Sequence, residues 1–175
     1  VFNGNERTLA DSISGKKEAG AYIGFFLRKG ETLTVNIGTS FSSLTGAKLN
    51  LQREVRNQSF TAIELATRSK WEKELGKINV KGTDEKAKRV FYTALYHALQ
   101  HPRLMSDVEG TYPRFSGRNQ VEKINKGGYY DDFSMWDTYR AQLPLLEIID
   151  PALTNSLTRS LVLKGQQGGW LPIFP

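Results

Sequence analysis

The sequence contains no cysteine, so it can build neither a disulfide-stapled domain nor a Cys-ligated zinc or iron–sulfur site. Apolar runs are short as well. The longest, around Ile23 to Leu27, is strand-sized and far below the ~20 residues of a membrane-spanning helix. No phosphate-binding loop is present, because Gly127-Gly128 lacks both the P-loop Lys-Ser/Thr and the Rossmann spacing. There is no G-x-S-x-G nucleophile elbow. The opening Val1-Phe2-Asn3-Gly4-Asn5 has neither the basic nor the apolar region of a secretory signal, and no Met precedes it. The chain is therefore expected to begin inside a longer one.

What is present is ordinary for a globular domain. The 175 residues make about one domain. Apolar residues are 39% and charged residues 24% of the total, too apolar and too weakly charged for a disordered chain. The net charge is +6. The basic clusters Arg68-Ser69-Lys70 and Lys86-Ala87-Lys88-Arg89 sit beside Glu72, Glu74, Asp84 and Glu85. They read as solvated helix faces laced with ion pairs, not as a nucleic-acid surface.

The patterning changes along the chain. Ala21 to Leu27 is apolar and rich in β-favouring residues. After the polar turn Arg28-Lys29-Gly30-Glu31, the residues Leu33, Val35 and Ile37 alternate with polar ones. Period two predicts an antiparallel hairpin with one buried face. Beyond Ser40 the period becomes helical. Phe60, Ile63, Thr67, Trp71 and Leu75 share one face, and a strand-like patch Ile78-Asn79-Val80 follows. Thr83 is expected to cap a helix carrying Ala87, Phe91, Ala94, Leu95 and Ala98, bounded by Pro102. Residues 103–132 read as a long loop; loops of this length are usually functional or disordered, and its aromatic content argues against disorder. Residues 133–149 read as a helix that Pro144 must kink or restart. Asp150-Pro151 then starts a last helix through Leu153, Leu157 and Leu161, with Gly165 as its expected C-cap. Trp170, Ile173 and Phe174 near the end lack neighbours to pack against, so the chain is expected to continue past Pro175.

Two groups of residues could carry chemistry. His97 and His101 stand four apart on a helix, but Ala98 fills the place of the zincin glutamate and no third ligand is evident. Packing or capping is the better reading of this pair. Asp131, Asp132 and Asp137 lie among Tyr129, Tyr130, Phe133, Trp136 and Tyr139. Sugar pockets need this mixture: aromatic faces cover the C–H patches of a pyranose, and carboxylates accept its hydroxyl protons. Asp137 and Arg140 are spaced to pair on one helix face. From spacing alone, an aromatic core beside an acidic helical turn explains these residues equally well.

The stretch Gly128-Tyr129-Tyr130 through Phe133-Ser134-Met135-Trp136-Asp137-Thr138-Tyr139-Arg140, followed by Pro144-Leu145, resembles the signature of glycoside hydrolase family 92. These are calcium-dependent exo-acting α-mannosidases. Further stretches match in order: Trp71 with Leu75 and Ile78, Phe91 to His97 with Pro102, Asp107 to Gly110 with Tyr112, and Gly169-Trp170-Leu171-Pro172. The resemblance runs from about residue 20 to residue 175.

The resemblance implies a mixed fold. Residues 1–40 would be the last strands of an N-terminal antiparallel β-sandwich, 41–82 a helical linker, and 83–175 the first helices of an (α/α)6 barrel. It implies a piece of an inverting exo-α-mannosidase, α-1,2-type, that removes terminal mannose from glycans. Trp136 and Asp137 would line the mannose pocket, with Arg140 orienting Asp137. Inversion needs an acid and a base ~6.5–9.5 Å apart. In the family both lie beyond the stretch matched here, as do most calcium ligands. The chain would thus carry no catalytic or metal residue of its own and be inactive alone. Its partners would be a mannose-containing glycan and the rest of its own chain, with no nucleic acid and no membrane span. The family also implies a secreted or periplasmic protein. A non-catalytic carbohydrate-binding module, or another (α/α)6 glycosidase, would use the same aromatics.

Overall fold

The structure is a computed structural model of the chain and describes residues 2–3, 6–7, 9–10, 19–117 and 119–174. Val1, Gly4 and Asn5 of the opening segment, and Pro175, lie outside the described residues. The chain divides into two compact units, 1–35 and 36–175. In the first, strands β1 (Phe2–Asn3), β2 (Glu6–Arg7) and β3 (Ala19–Gly20) form an antiparallel sheet in the order β2-β1-β3.

The hairpin predicted over 21–37 is not a ladder. Its turn is present: the Glu31 amide donates to the Arg28 carbonyl at 3.1 Å, with Gly30 at φ 93°. The flanking segments carry no strand. Ile23 and Phe26 of the apolar run, and Val35 and Ile37 of the alternating one, are all exposed. A two-stranded hairpin is marginal without further strands or a helix on its apolar face, and no described segment covers this one.

The second unit is mainly helical. Helix α1 (Leu44–Glu54) starts at Ser43, whose hydroxyl accepts from the Gly46 amide. The patterning does not single it out, because its short apolar row, Ala47, Leu51 and Val55, is only half-buried. Its place is fixed by polar contacts instead. Asn50 donates to the Asp107 carboxylate at 2.8 Å and accepts from the Val108 amide at 3.0 Å. Ser40 and Thr111 also donate to Asp107, at 2.9 and 2.8 Å. Burial pushes the Asp107 carboxyl up, but these hydrogen bonds outweigh it and hold it below the usual value.

Helix α2 (Phe60–Leu75) packs on α3 (Glu85–Ala98) through Trp71 and Tyr96, whose ring centroids lie 4.5 Å apart. The cap of α3 is Asp84, not Thr83: its side chain accepts from the Ala87 amide. The strand-like patch at 78–80 is not a strand. It is held by the Tyr92 hydroxyl, which donates to the Ile78 carbonyl and accepts from the Val80 amide.

The predicted loop 103–132 is ordered by four short strands. Strand β4 (Arg103–Leu104) pairs with β7 (Tyr130–Asp131), and β5 (Thr111–Pro113) with β6 (Val121–Lys123), both antiparallel. Strands of two or three residues are too short for an alternation to show in sequence. Past β7, the predicted helix 133–149 splits into α4 (Met135–Thr138) and α5 (Gln142–Ile149). The break falls at 139–141, so Pro144 sits in the first turn of α5, where its missing N–H costs nothing.

Helix α6 (Pro151–Gly168) starts as the sequence indicates, with the Asp150 carboxylate accepting from the Leu153 amide and Pro151 at its first position. It runs three residues beyond the expected cap. Gly169, at φ 87°, ends it and donates to the Gly165 carbonyl. The core below the site is Phe133, Leu146 and Leu157, with Leu99, Met135, Leu153 and Leu161 packed around them.

Asp150 also pairs with Lys77 at 2.6 Å. This contact first, and the Leu153 amide second, hold its carboxyl below the usual range. The unfolded chain then binds more protons than the folded one between the two values. Stability is full above the ordinary carboxylate range and drains as pH falls through the depressed value. Melting temperature should decline from about pH 5 downward, and Asp150→Asn should flatten that decline. An unchanged slope in the variant would assign the acid sensitivity elsewhere.

Candidate functional site

Phe133 is wholly buried, and the residues on either side of it are in the left-handed region: Asp132 at φ 63° and Ser134 at φ 45°. Non-glycine residues pay for this conformation, so two of them around one buried ring mark a locally constrained turn. The turn ends β7 and starts α4. It is tied down by the Thr138 hydroxyl, which donates to the Phe133 carbonyl at 2.9 Å, and by the Met135 amide, which donates to the Ile173 carbonyl at 2.9 Å.

Beside this turn lies a cleft of about 650 Å³, lined by His101, Arg103, Asp132, Ser134, Asp137 and Thr138 together with Gln142 and Phe174. Gln142 reaches back to the Ala98 and His101 carbonyls at 2.7 and 2.6 Å, joining α5 to the end of α3. Arg103 and Asp132 form an ion pair in the wall. Asp137 accepts from the Ser134 hydroxyl at 2.7 Å through Oδ2.

The three aspartates singled out by sequence separate here. Asp131 leaves the cleft and pairs at 2.8 Å with Lys164 of α6, whose side chain is 1% exposed. The Lys164 ammonium also donates to the Tyr129 hydroxyl at 2.9 Å and lies 4.4 Å from that ring's centroid. Burial pushes this lysine below its ordinary value, against the pull of Asp131. Burial likewise raises the Tyr129 phenol. Tyr129 stacks on Tyr112 at 3.9 Å, so these two tyrosines of the predicted loop form a packed pair, while Tyr130 packs against the Phe133 cluster. Asp132 faces Arg103, and Asp137 lies in the cleft.

Trp136 stands next to Asp137 in the chain and is 63% exposed, not a core residue, but it does not line this cleft. Arg140 does not pair with Asp137. Its guanidinium lies over the Tyr139 ring, 5.1 Å from the centroid. The helical spacing fails because α4 is one turn long and Arg140 lies beyond its C-cap, Tyr139. In place of Arg140, Ser134 holds Asp137. The serine in Phe-Ser-Met-Trp-Asp is an ordinary N-cap type three residues before an acid, and that spacing could have pointed to it.

His97 packs edge-on against Tyr96, and His101 lines the cleft without a companion ligand. Among the described residues, no group of three His, Asp or Glu side chains is placed to hold a metal ion. Near the cleft, Asp131 is engaged by Lys164, Asp132 by Arg103 and Asp137 by Ser134, so among the described residues these three carboxylates are not gathered into a calcium site. No helix among the described residues is long and apolar enough to cross a membrane.

Comparison with known proteins points one way. No curated protein matches the chain. Solved structures do. A family 92 glycosyl hydrolase shares 28% identity with a TM-score of 0.69, covering 78% of this chain and 19% of that one. A family 92 α-mannosidase from Bacteroides thetaiotaomicron shares 30% identity with a TM-score of 0.68, over 73% of this chain and 17% of that one. An inverting family 92 mannosidase from Bacteroides thetaiotaomicron VPI-5482 shares 31% with a TM-score of 0.66, over 77% and 18%. The chain thus spans less than a fifth of the length of these relatives. The model of the glycosyl hydrolase family 92 catalytic domain matches residues 46–175, and the chain belongs to that family.

Proposed function

We propose that the chain is part of an inverting exo-acting α-mannosidase, α-1,2-type, that releases terminal mannose from glycans. In this reading Trp136, Asp137 and Arg140 are the substrate-binding residues of this chain, with Arg140 acting other than by pairing with Asp137. The observation that carries it is the Asp137 carboxylate in the cleft, inside the stretch that matches the family; Trp136, its neighbour in the chain, is exposed but does not line that cleft. Two of the similar structures are mannosidases, and one is called inverting.

The rest of the reading follows the resemblance. Residues before Ser40 end a β-sandwich, residues 41–82 link it to the catalytic domain, and residues from 83 onward begin an (α/α)6 barrel completed by the remainder of the protein. Catalytic acid and base, and the calcium ligands, come from that remainder. The protein is secreted or periplasmic. Residues 1–175 alone turn over no mannoside, because inversion requires both carboxyls.

The test is hydrolysis of α-1,2-mannobiose by the full-length protein, followed by proton NMR. β-Mannose should be released first and then mutarotate. Initial release of α-mannose would contradict inversion. Mannose binding without turnover would make the chain part of a carbohydrate-binding module.

A further inference from the structure

We infer that Ser134 is a positioning residue for Asp137, holding its carboxylate in the cleft at the expense of backbone comfort; this rests on the proposed sugar-binding role of Asp137. Ser134 adopts φ 45°, ψ 57°, a region where a β-carbon is disfavoured. Glycine would occupy it freely and asparagine with less strain than serine. The serine side chain spends its hydroxyl on Asp137 Oδ2 at 2.7 Å rather than on the usual capping amide, and α4 has no side-chain cap hydrogen bond. Its carbonyl accepts from the Asp137 and Thr138 amides at 3.0 and 3.1 Å, so the left-handed turn also sets where the Asp137 backbone sits.

The consequence is a fixed rotamer. With Ser134 on Oδ2, Oδ1 is the less engaged oxygen and the readier acceptor for a ligand hydroxyl. Both Ser134 and Asp137 line the cleft, and the Met135–Ile173 hydrogen bond next to them anchors the turn. A carboxylate held in this way loses little side-chain freedom when a hydroxyl docks on it.

Stability and activity should move in opposite directions, which a merely structural serine would not allow. In the full-length protein, Ser134→Gly relieves the left-handed backbone and removes the hydroxyl. Its melting temperature should equal or exceed that of the wild type. Its kcat/KM on an aryl α-mannoside should fall about five- to twentyfold. The loss should be larger in kcat/KM than in kcat, since the residue acts through substrate placement. Ser134→Asn, which tolerates the left-handed region and offers an amide donor, should recover part of the loss. Asp137→Asn is measured beside them. Wild-type kinetics for Ser134→Gly with a crippled Asp137→Asn overturns the positioning role and leaves the sugar site standing. Wild-type kinetics for both overturns the sugar site. A Ser134→Gly protein that melts lower and loses activity in proportion makes Ser134 a structural cap and overturns the inference.

Discussion

Asp131→Ala is expected to destabilise the protein by about 3 kcal/mol, more than Lys164→Met does. The reason is the asymmetry of a buried ion pair. The Lys164 side chain is almost wholly buried, while that of Asp131 is 27% exposed. Removing the aspartate strands an ammonium that has already lost its water, leaving it the Tyr129 hydroxyl, the faces of Tyr129 and Phe115 and the more distant charge of Asp132. Removing the charge instead leaves Asp131 in partial reach of solvent. A methionine follows the lysine stem and packs against the same rings, so that change should cost under about 1.5 kcal/mol. The double variant should recover most of the Asp131 loss. Urea unfolding of the four proteins gives the cycle, and a greater loss in Lys164→Met than in Asp131→Ala would refute the desolvation argument. The pair matters to the site because it clamps α6 onto β7, and the residue after β7 is Asp132 in the cleft wall.

Asp137→Asn should lower kcat/KM on an α-mannoside at least about tenfold, with melting temperature little changed. Asparagine keeps volume and helix but loses the charge. A hydroxyl bonded to a charged acceptor contributes about 1.5–3 kcal/mol, which sets the size of the effect. Asp137 is exposed, in the one-turn helix α4, and outside the buried core, so its role in stability is small. A variant that melts normally and turns over normally would place Asp137 outside the sugar site.

The helices with strong local signals were legible in the sequence. Asp150-Pro151 announces α6, and the apolar spacing of Phe60 to Leu75 gives α2. The segments that failed are those set by distant partners. Helix α1 depends on Asp107, more than fifty residues away. Strands β4 and β7 are two residues each and exist because 103–104 and 130–131 meet. The alternation at 33–37 was real but needs a covering layer that the described residues do not supply. At the site, the turn between β7 and α4 was readable as important from its residue types. The division of labour among Asp131, Asp132 and Asp137 was not, since each is assigned by a partner: Lys164 and Arg103 lie about thirty residues off, and Ser134 lies in a turn whose left-handed backbone carries no sequence rule for serine.

A crystal structure of the full-length protein with a mannose-like inhibitor tests the central claim most directly. Asp137 Oδ1 should lie within about 3.2 Å of a sugar hydroxyl, with Oδ2 still on Ser134 and Trp136 against the ring. An inhibitor bound with Asp137 more than about 6 Å from every sugar oxygen would contradict it, since no direct hydrogen bond spans that distance.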